Sequence, residues 1–216
     1  MNIKAVIFDM DGLILDTERL FFKNWRLAAK MHGYEMSEET ALHIRSYCAK
    51  FAIPYLKQQF GEDFDYHAVR QTRKALMEQD LSEQGIPVKS GVNALLDFLH
   101  QNDYQTAVAT ATDYERTERY LKQVGLFDRF DHILCAPMVE TGKPAPDIYL
   151  YACEQLGLPP ENCLALEDSP NGVRSAFDAG CKVCMVPDLT EPDEQIKPML
   201  SACVENLTGV IELLEK

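Results

Sequence analysis

Residues 3–18 read IKAVIFDMDGLILDTE, and the interpretation of the whole fold turns on this stretch. An apolar run, broken once by Lys4, ends abruptly at Asp9-x-Asp11-Gly12, and Asp16-Thr17-Glu18 follow just beyond. The pattern is that of a short buried strand that delivers two carboxylates to its carboxyl end, then turns at a glycine. Desolvating like charges side by side is costly unless a cation or a proton lies between them. Stability alone does not explain such an arrangement, so the acid cluster is read as a site.

The totals restrict what that site can serve. The chain has 216 residues, 46% hydrophobic and 25% charged, which suits one globular domain, or one carrying a second small domain. The net charge of -13 argues against nucleic acid as a partner, since phosphate backbones reward Lys and Arg. It also repels a phosphorylated small molecule at long range, so such a substrate requires a local cation or a bound metal ion. No apolar stretch approaches the roughly 18 residues of a membrane span, and VIF runs straight into acids rather than a signal cleavage site. A cytoplasmic, monomeric protein that binds neither membrane nor nucleic acid is expected. The 7 cysteines are scattered, which fits reduced thiols used as small buried side chains. Cys181 and Cys184 match C-x-x-C, but a strand there points the two sulfurs to opposite faces, and no second pair or nearby His completes a zinc set.

Beyond the first strand, residues 18–84 carry a helical pattern, with Phe21, Phe22, Trp25, Leu27 and Ala28 on one face and a second helix opening near Ser37. Pro54 is expected to break or kink one of these helices. After Gly85-Ile86-Pro87 the pattern changes to alternating strand and helix. Strands are expected at 105–110, 132–136, 163–167 and 182–186, and helices at 92–101, 114–124, 146–157, 170–179, near 193–201 and at 207–215. This alternation implies an α/β fold: a Rossmann-like parallel sheet covered by helices on both faces, with ligands beyond the carboxyl ends of the strands. The helical block is then an insertion. The division expected is a core of residues 1–15 and 89–216 and an all-helical cap of residues 16–88, hinged near 15–18 and 84–90.

Three more features fall at the strand ends. Strand 105–110 finishes in Thr110, followed by Ala111, Thr112 and Asp113; strand 163–167 finishes in Glu167-Asp168-Ser169; and Gly142-Lys143-Pro144 holds one cation in a tight turn. A parallel sheet brings all of these near Asp9 and Asp11. Asp9, Asp168 and Glu167 offer the hard oxygens that Mg2+ prefers. Thr110, backbone N–H groups such as that of Ala111, and Lys143 suit phosphate oxygens. A carboxylate can attack phosphorus, and a second acid two residues away can protonate the leaving oxygen and later deprotonate water.

The ordered set DxDGxLxDTE at 9–18, the strand-ending Thr110, Lys143 in GKPAPD and EDSPNGVxSAxxAG at 167–180 resembles the haloacid dehalogenase superfamily, in the branch of β-phosphoglucomutase and related sugar-phosphate phosphatases. The match spans essentially the whole chain. The resemblance implies Asp9 as nucleophile, Asp11 as general acid/base, and Mg2+ held by Asp9, the Asp11 carbonyl and Asp168, with Glu167 as helper. It also implies the helical cap. Dehalogenases lack the second acid and phosphonate hydrolases place a small residue there, so Asp11 favours phosphate esters. The mutase carries a His four residues past the motif's Thr; here that place holds Phe21, and IRSYCAKF at 44–51 lacks the mutase's cap-loop glycine. The expected function is therefore a Mg2+-dependent phosphatase acting on a small phosphorylated metabolite, a sugar phosphate by class. A phosphoglucomutase is the alternative, and a catalytically silent phosphometabolite-binding protein is the alternative from another class.

Other residues have plainer readings. Thr112 and Asp113 read as an N-cap for helix 114–124, and Ser169 and Asn171 as caps for the helix after the metal acids. Asp16 reads as ordering the hinge. Glu18 could reach substrate, or serve as a first-turn acid. Arg45, Lys50 and Lys74 are cap cations that could meet a substrate, with Arg45 carried as a candidate contact, although each reads first as a solvated helix charge.

Overall fold

The opening apolar run forms strand β1, Ala5–Phe8, whose four side chains are all fully buried. A strand buried on both faces belongs in the middle of a parallel sheet. In the computed structural model, which describes residues 2–215, β1 is central in a six-stranded parallel sheet. The other strands are β2 (Gln105–Thr110), β3 (His132–Cys135), β4 (Cys163–Glu167), β5 (Lys182–Met185) and β6 (Ala202–Cys203), in the order β3-β2-β1-β4-β5-β6. Alternate residues of β1 feed two cores. Val6 and Phe8 join Leu95, Leu99, Tyr120 and Val210 on one face; Ala5 and Ile7 join Ile148, Ala152, Val173 and Ala176 on the other. The first face is covered by α5 (Val92–Gln101), α6 (Tyr114–Gln123) and α9 (Thr208–Leu214), the second by α7 (Asp147–Leu156) and α8 (Pro170–Asp178). Cys184 lies in the first core and Cys181 in the second, so the C-x-x-C pair is split across the sheet.

Between β1 and α5 run four helices: α1 (Glu18–Met31), α2 (Glu38–His43), α3 (Ala49–Phe60) and α4 (Tyr66–Gln84). They enclose a separate core around Ala28, Ile44, Leu56, Phe64 and Val69. Ser37 caps α2 by accepting from the Thr40 N–H. α3 runs through Pro54 without ending there, so the proline does not break the helix. The two connections to this block lie side by side. Asp16 N–H donates to the Pro87 carbonyl, Lys89 N–H donates to the Ile14 carbonyl, and Lys89 Nζ pairs with Asp16 at 3.1 Å and Asp188 at 2.8 Å.

Two expectations fail near the C-terminus. Residues 193–201 are not a helix: only Lys197–Met199 makes a 3-10 turn, because the Asp193 side chain accepts the N–H groups of Gln195 and Ile196 in a local turn. The residues directly after it add the edge strand β6, for which the sequence carried no strand signal. Among the described residues, no helix is long and apolar enough to cross a membrane.

Candidate active site

The sheet register places the acids. Phe8 pairs with Leu166 of β4 on one side and Val108 of β2 on the other, and the Asp9 N–H donates to the Leu166 carbonyl. Asp9 thus lies one residue past β1, opposite Glu167, at the point where the strand order reverses. Asp9, Glu167 and Asp168 each present a carboxylate oxygen within 4.8 Å of the others, and all three are buried.

Lys143 binds this cluster together. Its Nζ donates to Asp9 Oδ1 at 2.5 Å and to Glu167 Oε1 at 2.6 Å, with 1% of the residue exposed. Burial works against the ammonium, but Asp9 and Glu167 outweigh it and hold its proton affinity above the ordinary lysine value. Glu167 also accepts from the Tyr149 hydroxyl at 2.5 Å, and the Tyr149 ring lies 5.2 Å from Lys143 Nζ. The Lys143–Pro144 peptide is cis. One cation cannot neutralise the set. Burial first, then Glu167 and Asp168, push the Asp9 carboxyl well above the usual range despite Lys143. Burial, with Glu167 and Asp188, pushes Asp168 up to about 7 against the pull of Arg45 and Lys143.

Both Asp168 carboxylate oxygens are buried without a hydrogen-bond partner. Orphaned buried oxygens beside two further acids form a donor set suited to a hard divalent cation. Two glycines make the close approach possible. A Cβ on Gly12, whose φ is +88°, would lie 2.8 Å from Asp168 Cγ and 2.6 Å from Glu18 Cγ. A Cβ on Gly172 would overlap the Glu167 carboxylate. The α8 motif therefore keeps glycine where the acid must fit.

Asp11 stands apart from this cluster. Its Oδ1 accepts from the Thr17 hydroxyl at 2.7 Å and its Oδ2 from the Thr112 hydroxyl at 2.8 Å. Thr112 is thus a partner of Asp11, not a helix cap; Asp113 alone caps α6, accepting from the Arg116 N–H. Thr110 Oγ1 accepts from the Thr112 N–H and lines the same cavity as Ala111. Ser169 caps α8 as expected, whereas Asn171 instead donates to the His43 and Arg45 carbonyls.

The cavity above the acids measures about 390 Å3. Asp9, Asp11, Thr110 and Ala111 contribute from the sheet side, and Phe21, Trp25, Arg45 and Arg73 from the inserted helices. Arg45 is not a solvated helix charge. It is 7% exposed, donates from Nη2 to the Asp168 carbonyl at 3.0 Å, and lies 3.9 Å from Glu18 and 3.7 Å from the Asp168 carboxylate. Glu18 is buried too, and burial with Asp168 nearby raises its carboxyl well above the usual range. Lys50 reaches Thr141 and Lys74 pairs with Asp113, so both cations of the inserted helices bind residues beyond the strand ends of the sheet.

Tyr149, Arg73 and Arg116 were not visible as site residues in the sequence. Tyr149 falls on the apolar face of α7 and reads as core. Arg73 had a usable signal: it interrupts the stripe Val69, Met77, Leu81 at four-residue spacing, and all four are buried.

Comparison with known proteins shows the family and the fold. A family model described as haloacid dehalogenase-like hydrolase matches residues 3–180. The phosphorylated carbohydrates phosphatase of Thermotoga maritima is 32% identical over 182 residues, 82% of each chain. Hexitol phosphatase A of Escherichia coli is 32% identical over 188 residues, 86% of this chain and 84% of its own. Among solved structures, a CbbY mutant from Rhodobacter sphaeroides in complex with xylulose-(1,5)bisphosphate superposes with a TM-score of 0.78 at 26% identity, covering 95% of both chains. With the motif order, the sheet and the family match in agreement, this chain belongs to the haloacid dehalogenase-like hydrolases.

Proposed function

We propose that the protein is a Mg2+-dependent phosphatase that hydrolyses a small phosphorylated metabolite, of the sugar-phosphate class, through an aspartyl-phosphate on Asp9. The observation that carries this reading is the convergence of Asp9, Glu167 and Asp168 within 4.8 Å, with Lys143 bound to two of them. The relatives named as phosphatases of phosphorylated carbohydrates and hexitols support the substrate class.

In this reading the other Asp9 oxygen attacks phosphorus as the ester P–O bond breaks. Asp11, aimed by Thr17 and Thr112, gives its proton to the departing alkoxide. Water then enters; Asp11 takes its proton, the phosphorus–Asp9 bond breaks, and phosphate leaves. Lys143, Thr110 and the Ala111 N–H hold the phosphoryl oxygens, and Glu167 with Tyr149 fixes Lys143. Asp9, Asp168 and the Asp11 carbonyl, with Glu167 assisting, would hold the Mg2+, which supplies charge neutralisation for the transferring group. Residues 16–88 act as the cap, and the paired connections at Asp16 and Lys89 are its hinge. Glu18 and Arg45 border the substrate from that cap.

The test is release of phosphate from an aryl phosphate and from sugar phosphates, with Mg2+ and after chelation. Activity is expected only with the metal. Saturating Mg2+ should also raise the thermal midpoint, since a ligand at about 1,000 times its Kd adds about 4 kcal/mol. With β-glucose 1-phosphate and a trace of bisphosphate, free phosphate is expected; glucose 6-phosphate would instead identify a mutase.

A further inference from the structure

Arg73 and Arg116 are an anomaly in this site. Arg73 comes from α4 of the inserted block and Arg116 from α6, and both line the cavity. They are 3% and 8% exposed. Their guanidinium carbons lie 4.6 and 5.3 Å from the centroid of the same ring, Phe21. Neither makes an ion pair with any described residue. Arg73 Nε and Nη1 and Arg116 Nε are buried without an acceptor. Arg116 has one side-chain bond, from Nη2 to Thr112 Oγ1 at 2.8 Å.

Two buried, mutually repelling guanidinium groups are costly unless an anion joins them. Burial, with Arg116 and Arg70 alongside, pulls Arg73 down to about 9, so it remains charged at neutral pH. The nearby acids are already engaged. Asp11 accepts from Thr17 and Thr112, Asp113 pairs with Lys74, and Glu78 pairs with Arg119 and accepts from Tyr120. The other cavity cation from the cap, Arg45, is held at the Asp168 carbonyl. Arg70 also lines the cavity and adds to the positive field. In a chain of net charge -13, this concentration of unspent positive charge under the cap points to a ligand, not to the fold.

We propose that Arg73 and Arg116 form a second anion-binding site, and that the substrate is a phosphate monoester whose leaving portion carries a further phosphate or carboxylate group. This rests on the phosphatase reading and names its substrate class. Phe21 sets the spacing of the two guanidinium groups by presenting its ring to both. Two hydrogen bonds, through Thr112, also link Arg116 to Asp11, so the anion held by Arg116 would be coupled to the group that protonates the leaving oxygen.

Paired substrates test this in the unmodified enzyme: fructose 1,6-bisphosphate against fructose 1-phosphate, and 3-phosphoglycerate against glycerol 3-phosphate. The first pair reports a phosphate and the second a carboxylate. In at least one pair, kcat/KM for the member whose leaving portion carries the extra anionic group should exceed that of the member without it by about 10–100-fold, the value of one or two charge-assisted hydrogen bonds. Arg73→Met should collapse that ratio towards one, and Arg73→Lys should restore part of it. Calorimetric binding of the same compounds to the Asp9→Asn protein reads the preference without turnover. If no phosphate is released from any ester but the binding preference holds, the phosphatase reading fails and the anion site stands. If the members with an uncharged leaving portion turn over and bind as well as those with the extra anion, the anion site is wrong even though the enzyme is a phosphatase.

Discussion

Asp9→Asn should abolish phosphate release, lowering kcat by about ten-thousand-fold or more, the usual consequence of removing a nucleophile. The amide cannot form the phospho-enzyme, and in the proposed reading each neighbouring acid has another task, Asp168 that of holding the Mg2+. Asp11 is committed to Thr17 and Thr112, while Glu167 is committed to Lys143 and Tyr149. The folded state should tolerate the change. Asp9 is buried beside Glu167 and Asp168, both of which make its ionised form less favourable, so the amide relieves repulsion as it gives up the bond to Lys143. The metal-free variant is therefore expected to melt no lower than the parent protein. Phosphate release by a molybdate assay and a thermal melt on the same sample check both halves. A variant that retained more than about a hundredth of the parent rate would exclude Asp9 as the nucleophile.

Lys143→Met should damage both stability and activity. Lys143 is buried between Asp9 and Glu167, and its removal leaves two carboxylates without a counter-charge. Breaking a buried pair in this way costs about 3–5 kcal/mol. For a chain of this size that corresponds to a fall of about 10 °C in Tm. The sign of the pH dependence follows from the acids. The Asp9 carboxyl, already raised by burial, rises further without Lys143, so folding favours its protonated form. The penalty sets in above the unfolded carboxylate pKa of about 4 and grows with pH through the raised folded value. The stability gap between variant and parent should therefore narrow on acidification towards about pH 5 and widen at pH 8. Denaturant melts across that range measure it. A gap independent of pH would mean that lost packing against Tyr149, 5.2 Å from Nζ, matters more than lost charge.

Much of this site could be read from sequence because its parts are local. An apolar strand that ends in polar residues announces its own carboxyl end, so β2, ending at Thr110, and β4, ending at Glu167, coincide with the expected 105–110 and 163–167. A parallel sheet then brings those ends together whatever their separation in the chain. What escaped depends on contacts between the inserted helices and the sheet. Arg73 and Arg116 look like ordinary helix-surface charges until the two parts meet and bury them, and Arg45, though a candidate contact, reads first as a solvated one. Thr112 and Asn171 have the composition of caps, but spatial neighbours claim them: Asp11 for one, the cap-loop carbonyls for the other. The 193–201 segment misled because helix-forming residues there are overridden by the Asp193 side chain, which satisfies the backbone locally.

The account depends on Asp9 carrying the phosphoryl group between two in-line displacements. The stereochemical course at phosphorus, followed with an isotopically chiral phosphate ester hydrolysed in labelled water, reports this directly. Two successive displacements predict overall retention of configuration. Inversion would mean that water attacks the substrate in a single step, and the role given to Asp9 would be wrong.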